Sequence, residues 1–328
     1  MTSRERCLAV LTGQGSPDRS PLWIGNPHKD TLALYFAELG VDDMLGLYRA
    51  TGNDMVHVQS NCYEPAENRA FLTERPGFFR DCEDPSMVDD YPWPDLNDLK
   101  PERLRAELTT YHEAGFCVIG GIWASVFTHT AALFGLEHYL VKMHTHPEVV
   151  EAVTQRVVEI YERASRIVFD AVGDLYDAHF FGSDTGTQQS MMISPEHFER
   201  FVLPGFRCII RVGKDYGKPV IVHNCGAISP AIQGLIEAGM DGLNPLQALA
   251  PGMDAASLAS AYGDRIAYIG GVDTQELLRR GTPDDVRREV RRLKETFPWR
   301  FIVSPSHETL LPDIPVDNFI AMCEAAAQ

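Results

Sequence analysis

Three residues in the second half of the chain combine side chains that bind or move charge at short range. His223 and Cys225 sit two residues apart at the end of an apolar run, Pro219-Val-Ile-Val-His223. On an extended backbone both side chains therefore point the same way. An imidazole and a thiolate so placed suit one zinc ion, with bonds of about 2.0–2.1 Å to nitrogen and 2.3 Å to sulfur. His307 follows another apolar run, Arg300-Phe-Ile-Val-Ser304, and offers a third ligand. Three protein ligands with an open fourth position describe a catalytic rather than a structural zinc. H-x-C by itself is a weak signal, and a hydrogen-bonded core histidine beside a buried cysteine is the competing reading.

Further polar residues stand at the ends of apolar runs. Asp184 and Asp273 are candidates for a general base, for orienting a ligating histidine, or for binding a substrate amine or hydroxyl. Either is equally suited to capping the helix that follows it. Asn244 and Gln247 offer neutral hydrogen bonds to a substrate, with loop stabilisation as the alternative, above all for Gln247. His28 and His57 end the first two runs and are candidate substrate contacts; His129, after the third, is a weaker one.

The elements that must position these residues are legible as short apolar runs at 21–25, 54–58, 117–122, 179–182, 219–223, 240–244, 266–270 and 300–304. Each is mostly apolar, as strands buried on both faces should be. Between them lie stretches of helical period with opening signals: His146-Pro147-Glu148, Ser194-Pro195-Glu196, Ser229-Pro230 and Thr282-Pro283-Asp284. Strand–helix alternation implies a parallel sheet with crossover helices. Eight strands predict an α/β fold, a single (β/α)8 TIM barrel, whose reactive residues come from the carboxyl ends of the strands. No linker or repeat divides the chain, so residues 1–328 read as one domain, with a rim insertion at 61–98 rich in Pro, Asp and Glu.

Composition narrows the partners. Lys+Arg number 29 against 46 Asp+Glu, a formal charge of −17, which argues against nucleic acid and against an anionic membrane surface. Seven scattered cysteines are not a disulfide framework. No apolar run approaches the ~20 residues of a membrane span, so a cytoplasmic protein is the expectation.

Several motifs in order resemble the uroporphyrinogen decarboxylase superfamily. They are Asp184-Thr-Gly-Thr-Gln-Gln-Ser-Met-Met-Ile-Ser-Pro-Glu-His-Phe, Val222-His-Asn-Cys-Gly, Leu235-Ile-Glu-Ala-Gly-Met-Asp-Gly-Leu-Asn-Pro-Leu-Gln, Gly270-Gly-Val-Asp-Thr and Ser304-Pro-Ser-His. The resemblance implies a (β/α)8 barrel. True decarboxylases of this superfamily carry an arginine-bearing segment after the first strand that holds a polycarboxylate. Here that place reads Trp23-Ile-Gly-Asn-Pro-His-Lys-Asp, without an arginine. The other branch comprises zinc methyltransferases that act with corrinoid proteins and bind the metal through His-x-Cys and a later Cys. His223 and Cys225 match the pair, and His307 stands where the later Cys would be.

The resemblance therefore implies a zinc-dependent methyltransferase. It would move a methyl group between a small methoxy, methylamine or thiol substrate and a corrinoid carried by a separate partner protein. Two alternatives remain open at this level. One is a metal-independent decarboxylase or lyase acting on a carboxylated substrate, and the other is a non-catalytic ligand-binding barrel.

Overall fold

The computed structural model describes residues 1–60, 62 and 75–328. Seven strands form one parallel sheet in sequence order: β1 (Met55–Gln59), β2 (Cys117–Gly121), β3 (Ala178–Gly182), β4 (Val220–His223), β5 (Gly242–Leu246), β6 (Ala267–Val272) and β7 (Phe301–Pro305). Strands β2 to β7 are buried along their whole length. Their near-continuous apolar sequences fit a sheet covered on both faces.

The alternating side chains divide cleanly between those faces. Met55, Cys117, Ile119, Ala178, Phe180, Ile221, Ala267, Ile269 and Ile302 pack together as one cluster, with Cys7, Val10 and Leu11 of the first helix, Ser3–Thr12, and with Trp23. That cluster fills the concave side of the curled sheet. The opposite side chains meet the outer helices, among them Pro147–Val172, Leu203–Asp215 and Pro283–Thr296.

Seven of the eight expected strands are present, each within about two residues of its sequence-based bounds. The first departs from expectation. Residues 21–25 make only one isolated bridge, Leu22 to Val303, and do not form a strand. On one side the Trp23 N–H donates to Val303 O at 2.9 Å. On the other side much of the ladder is replaced by side chains: the Leu22 and Ile24 N–H groups donate to Asp54 Oδ2 (2.9 Å) and Asn53 Oδ1 (3.0 Å). The segment thus spans from β7 to the residues entering β1, and among the described residues the sheet has seven strands rather than the eight expected.

Helix openings follow the local chemistry. Thr282 forms a capping box with Asp285 ahead of Pro283–Thr296, and the Ser194 hydroxyl accepts from the His197 N–H. Of the rim insertion expected at 61–98, residues 61 and 63–74 lie outside the described residues. The remainder carries two 3-10 turns, Pro85–Asp90 and Leu96–Asp98, around the packed rings of Phe79, Tyr91 and Trp93. Among the described residues no helix is long and apolar enough to cross a membrane.

Candidate functional site

At the carboxyl ends of β3, β4, β5 and β7 four elements deliver polar side chains to one spot. His223 is the last residue of β4, and its inward direction is set by Ile221, two residues earlier in the concave core. Its Nε2 faces Cys225 Sγ at 3.3 Å and Asp184 Oδ1 at 3.2 Å. The ligand atoms of Asp184, His223 and Cys225 all lie within 4.8 Å of one another. The other ring nitrogen, Nδ1, lies 2.9 Å from Glu308 Oε1 and 2.9 Å from Asn244 Oδ1.

Backbone geometry holds this cluster together. The Cys225 N–H donates to Asp184 Oδ1 at 2.9 Å and the Gly226 N–H to Gln247 Oε1 at 2.8 Å. Gly226 adopts φ +94°, and a Cβ there would sit 2.5 Å from the carbonyl carbon of Gly186. Only glycine lets the loop after β4 press this closely on the loop after β3. Asn224, between the two candidate ligands, turns the other way and exchanges hydrogen bonds with Thr185.

Aromatic rings make the wall. Trp123 lies 5.2 Å from the His223 ring and 5.4 Å from Phe180, and Phe180 in turn packs edge-on against His57 at 5.0 Å. His57 occupies the concave face two residues beyond Met55, with Nδ1 3.2 Å from Asn26 Nδ2. Burial lowers its pKa to about 4, so it is neutral near pH 7.

The charges at the centre are mutually dependent. Burial opposes protonation of His223, but the Glu308 carboxylate, with Asp184 and Cys225, outweighs it and holds the pKa well above the ordinary value. Burial alone would raise Asp184; hydrogen bonds from His223 and the Cys225 N–H bring it down to about 2. Glu308, buried but facing His223, is lowered, and Cys225 is raised because burial outweighs the imidazole. One imidazole is thus set among two carboxylates and a thiol.

Of the residues singled out in the sequence, His223, Cys225, Asp184 and Asn244 meet here. His307 does not. It is exposed, and its Nδ1 accepts from the Thr309 N–H at 3.2 Å. The reason is alternation past β7: Ser304, Ser306 and Glu308 turn inward and are buried, whereas His307 and Thr309 turn out. Asp273 is buried, but its carboxylate accepts the N–H groups of Gln275, Glu276 and Leu277 at 2.8–3.1 Å, the capping alternative. His28 likewise caps Lys29–Leu39, accepting from the Asp30 N–H. Gln247 braces the Gly226 turn, and His129 is bonded to Tyr161. Sequence reasoning missed Glu308 and Trp123. The period of two carried beyond β7 through Ser306 would have found Glu308; Trp123 follows the positive-φ Gly120 and Gly121, where the alternation is interrupted.

Fold and site together define an α/β protein with a parallel curled sheet and a His–Cys–carboxylate cluster at the carboxyl ends of its strands. The uroporphyrinogen decarboxylase (URO-D) family model matches residues 76–328, and the chain belongs to that family. Among solved structures it is similar to a methyltransferase from Methanosarcina mazei, with TM-score 0.73 and 16% identity over 100% of this chain and 98% of that one. A D-psicose 3-epimerase solved with D-fructose aligns at TM-score 0.38 and 13% identity, over 78% of this chain and 75% of that one. No curated protein matches the sequence.

Proposed function

We propose that the chain is a zinc-dependent methyltransferase that exchanges a methyl group between a small methoxy, methylamine or thiol substrate and a corrinoid carried by a partner protein. The observation that carries this reading is the convergence of His223 Nε2, Cys225 Sγ and an Asp184 oxygen within 4.8 Å. Nitrogen, sulfur and carboxylate oxygen are the three donor types zinc accepts, and the His–Cys–Asp set leaves a fourth position open. The acidic excess around a single imidazole also suits a divalent cation. Family membership and the fold shared with the Methanosarcina methyltransferase support the same reading.

His223, Cys225 and Asp184 would hold the metal, with Asp184 replacing His307 as the third ligand. When bound, zinc supplies Lewis acidity that lowers the pKa of a thiol or polarises a methoxy or amine group. The chain's own residues provide the setting. Trp123 and Phe180 close the cluster on its concave side, keeping water from it and presenting an apolar face to a methyl group. Asp184, half-exposed, is the member of the cluster nearest solvent.

The test pairs metal analysis with turnover. Stoichiometric zinc should be present in the purified protein and lost in His223→Ala and Cys225→Ala. The wild type should methylate free cob(I)alamin from at least one methoxy, methylamine or thioether donor, followed by its visible spectrum. Folded, metal-free protein that releases carbon dioxide from a carboxylated substrate would overturn the reading in favour of the metal-independent lyase. Folded protein with neither metal nor turnover would leave a ligand-binding barrel.

A further inference from the structure

We infer that Glu308 is the positioning residue of this site: by accepting the Nδ1 proton of His223 from a buried, fixed carboxylate, it forces Nε2 to be the metal-facing ligand atom. The inference rests on the zinc reading above and adds to it a residue outside the ligand set.

The geometry leaves the ring little choice. Two acceptors, Glu308 Oε1 and Asn244 Oδ1, both stand 2.9 Å from Nδ1, so that nitrogen carries the hydrogen. In the neutral ring the lone pair then belongs to Nε2, which faces Cys225 and Asp184. A carboxylate on the far nitrogen of a ligating imidazole fixes its tautomer and orientation and raises its basicity. Glu308 is 7% exposed, so water does not compete for the bond.

The backbone that carries Glu308 is itself held by the segment that failed to become a strand. The Asn26 N–H donates to Glu308 O at 2.9 Å, immediately after Gly25. Gly25 has φ +73°, and a Cβ there would lie 2.5 Å from Glu308 O. The close approach of Gly25–Asn26 to the turn after β7 therefore requires glycine and sets where the Glu308 backbone stands. Residues 21–26 act as a strap that links the first part of the chain to the imidazole through Glu308.

The experiment measures zinc affinity by chelator competition, with the visible spectrum of the cobalt(II)-substituted protein as a second readout. Glu308→Ala should weaken zinc about 10–100-fold. It should also alter the cobalt ligand-field bands, while the thermal midpoint of the metal-free protein shows that the variant is folded. Glu308→Gln, which keeps an acceptor for Nδ1, should recover part of the affinity and the wild-type band positions. Wild-type affinity and spectrum in a folded Glu308→Ala would falsify the role, as would a Glu308→Gln no better than Glu308→Ala. Should Glu308→Ala fail to fold, Glu308→Gln decides alone: zinc bound more weakly than by the wild type with unchanged bands supports the orienting role, and wild-type affinity overturns it. A wild type that takes up no zinc overturns the metal reading itself and this role with it, a separate and distinguishable result.

Discussion

Two clusters of charge occupy opposite ends of the same sheet. At the amino ends of the strands, Asp54 is fully buried and accepts from Arg6 Nη1 (2.7 Å), Arg19 Nη1 (2.7 Å) and the Leu22 N–H (2.9 Å). Arg6 also grips Asp18 at 2.6 Å. Two guanidiniums and the Met1 ammonium face two carboxylates, so each carboxylate there is matched by cations within the protein. At the carboxyl ends, one imidazole faces Asp184, Glu308 and Cys225, and negative groups are in excess. A balanced, saturated cluster is a joint: it ties the first helix and the strap to β1. An unbalanced one with perturbed protonation is where binding and chemistry concentrate. The difference lies in the count of opposing charges, since each end sets one buried and one half-exposed carboxylate against its cations.

The largest effect should come from breaking the balanced end. Asp54→Ala strands Arg19, leaves the buried Arg6 with Asp18 alone, and should cost about 3–5 kcal/mol in chemical denaturation. Zinc stoichiometry of the fraction that folds should be unchanged, because the two ends are separated by the length of the strands. A stability loss accompanied by metal loss would mean that the clusters are coupled.

A second prediction concerns the wall between the ends. His179 on β3 is fully buried, and neither ring nitrogen has a hydrogen-bond partner among the described residues. Burial lowers its pKa from 6.5 to about 3. Between those values the unfolded chain binds the proton and the folded chain does not, so stability is lost as pH falls. This group should contribute a slope of up to about 1.4 kcal/mol per pH unit across that window. Stability measured from pH 7 down to pH 4 should fall less steeply in His179→Leu than in the wild type. Equal slopes would assign the acid sensitivity elsewhere.

The smaller effects separate the residues at the carboxyl ends from one another. Asp273→Ala removes a helix cap and should cost about 0.5–2 kcal/mol while leaving zinc in place. His307→Ala, at an exposed turn, should stay within about 0.5 kcal/mol and also leave zinc in place. Metal lost from His307→Ala would restore it to the ligand set and remove Asp184 from it.

The sequence by itself determined the strand–helix order, the helix openings and the pairing of His223 with Cys225. Those are local properties: burial on both faces, helical period, capping chemistry and the two-residue repeat of an extended chain. It also drew Asp184 and Asn244 into consideration, because both end a strand. Tertiary structure decided which of the polar strand-end groups remain available. Asp184 and Asp273 are alike in sequence, yet Asp273 is committed to three backbone N–H groups and Asp184 turns to His223. Likewise His307 and Glu308 are neighbours, and the side on which each falls depends on how the chain leaves β7. Residues 21–25 read as a strand because they are apolar. On the side facing β1, their N–H groups go to the side chains of Asn53 and Asp54, a long-range substitution that no local pattern records. Propensity and period act over a few residues. Hydrogen-bond partners and inward direction at the end of a strand are set by what the rest of the chain brings alongside.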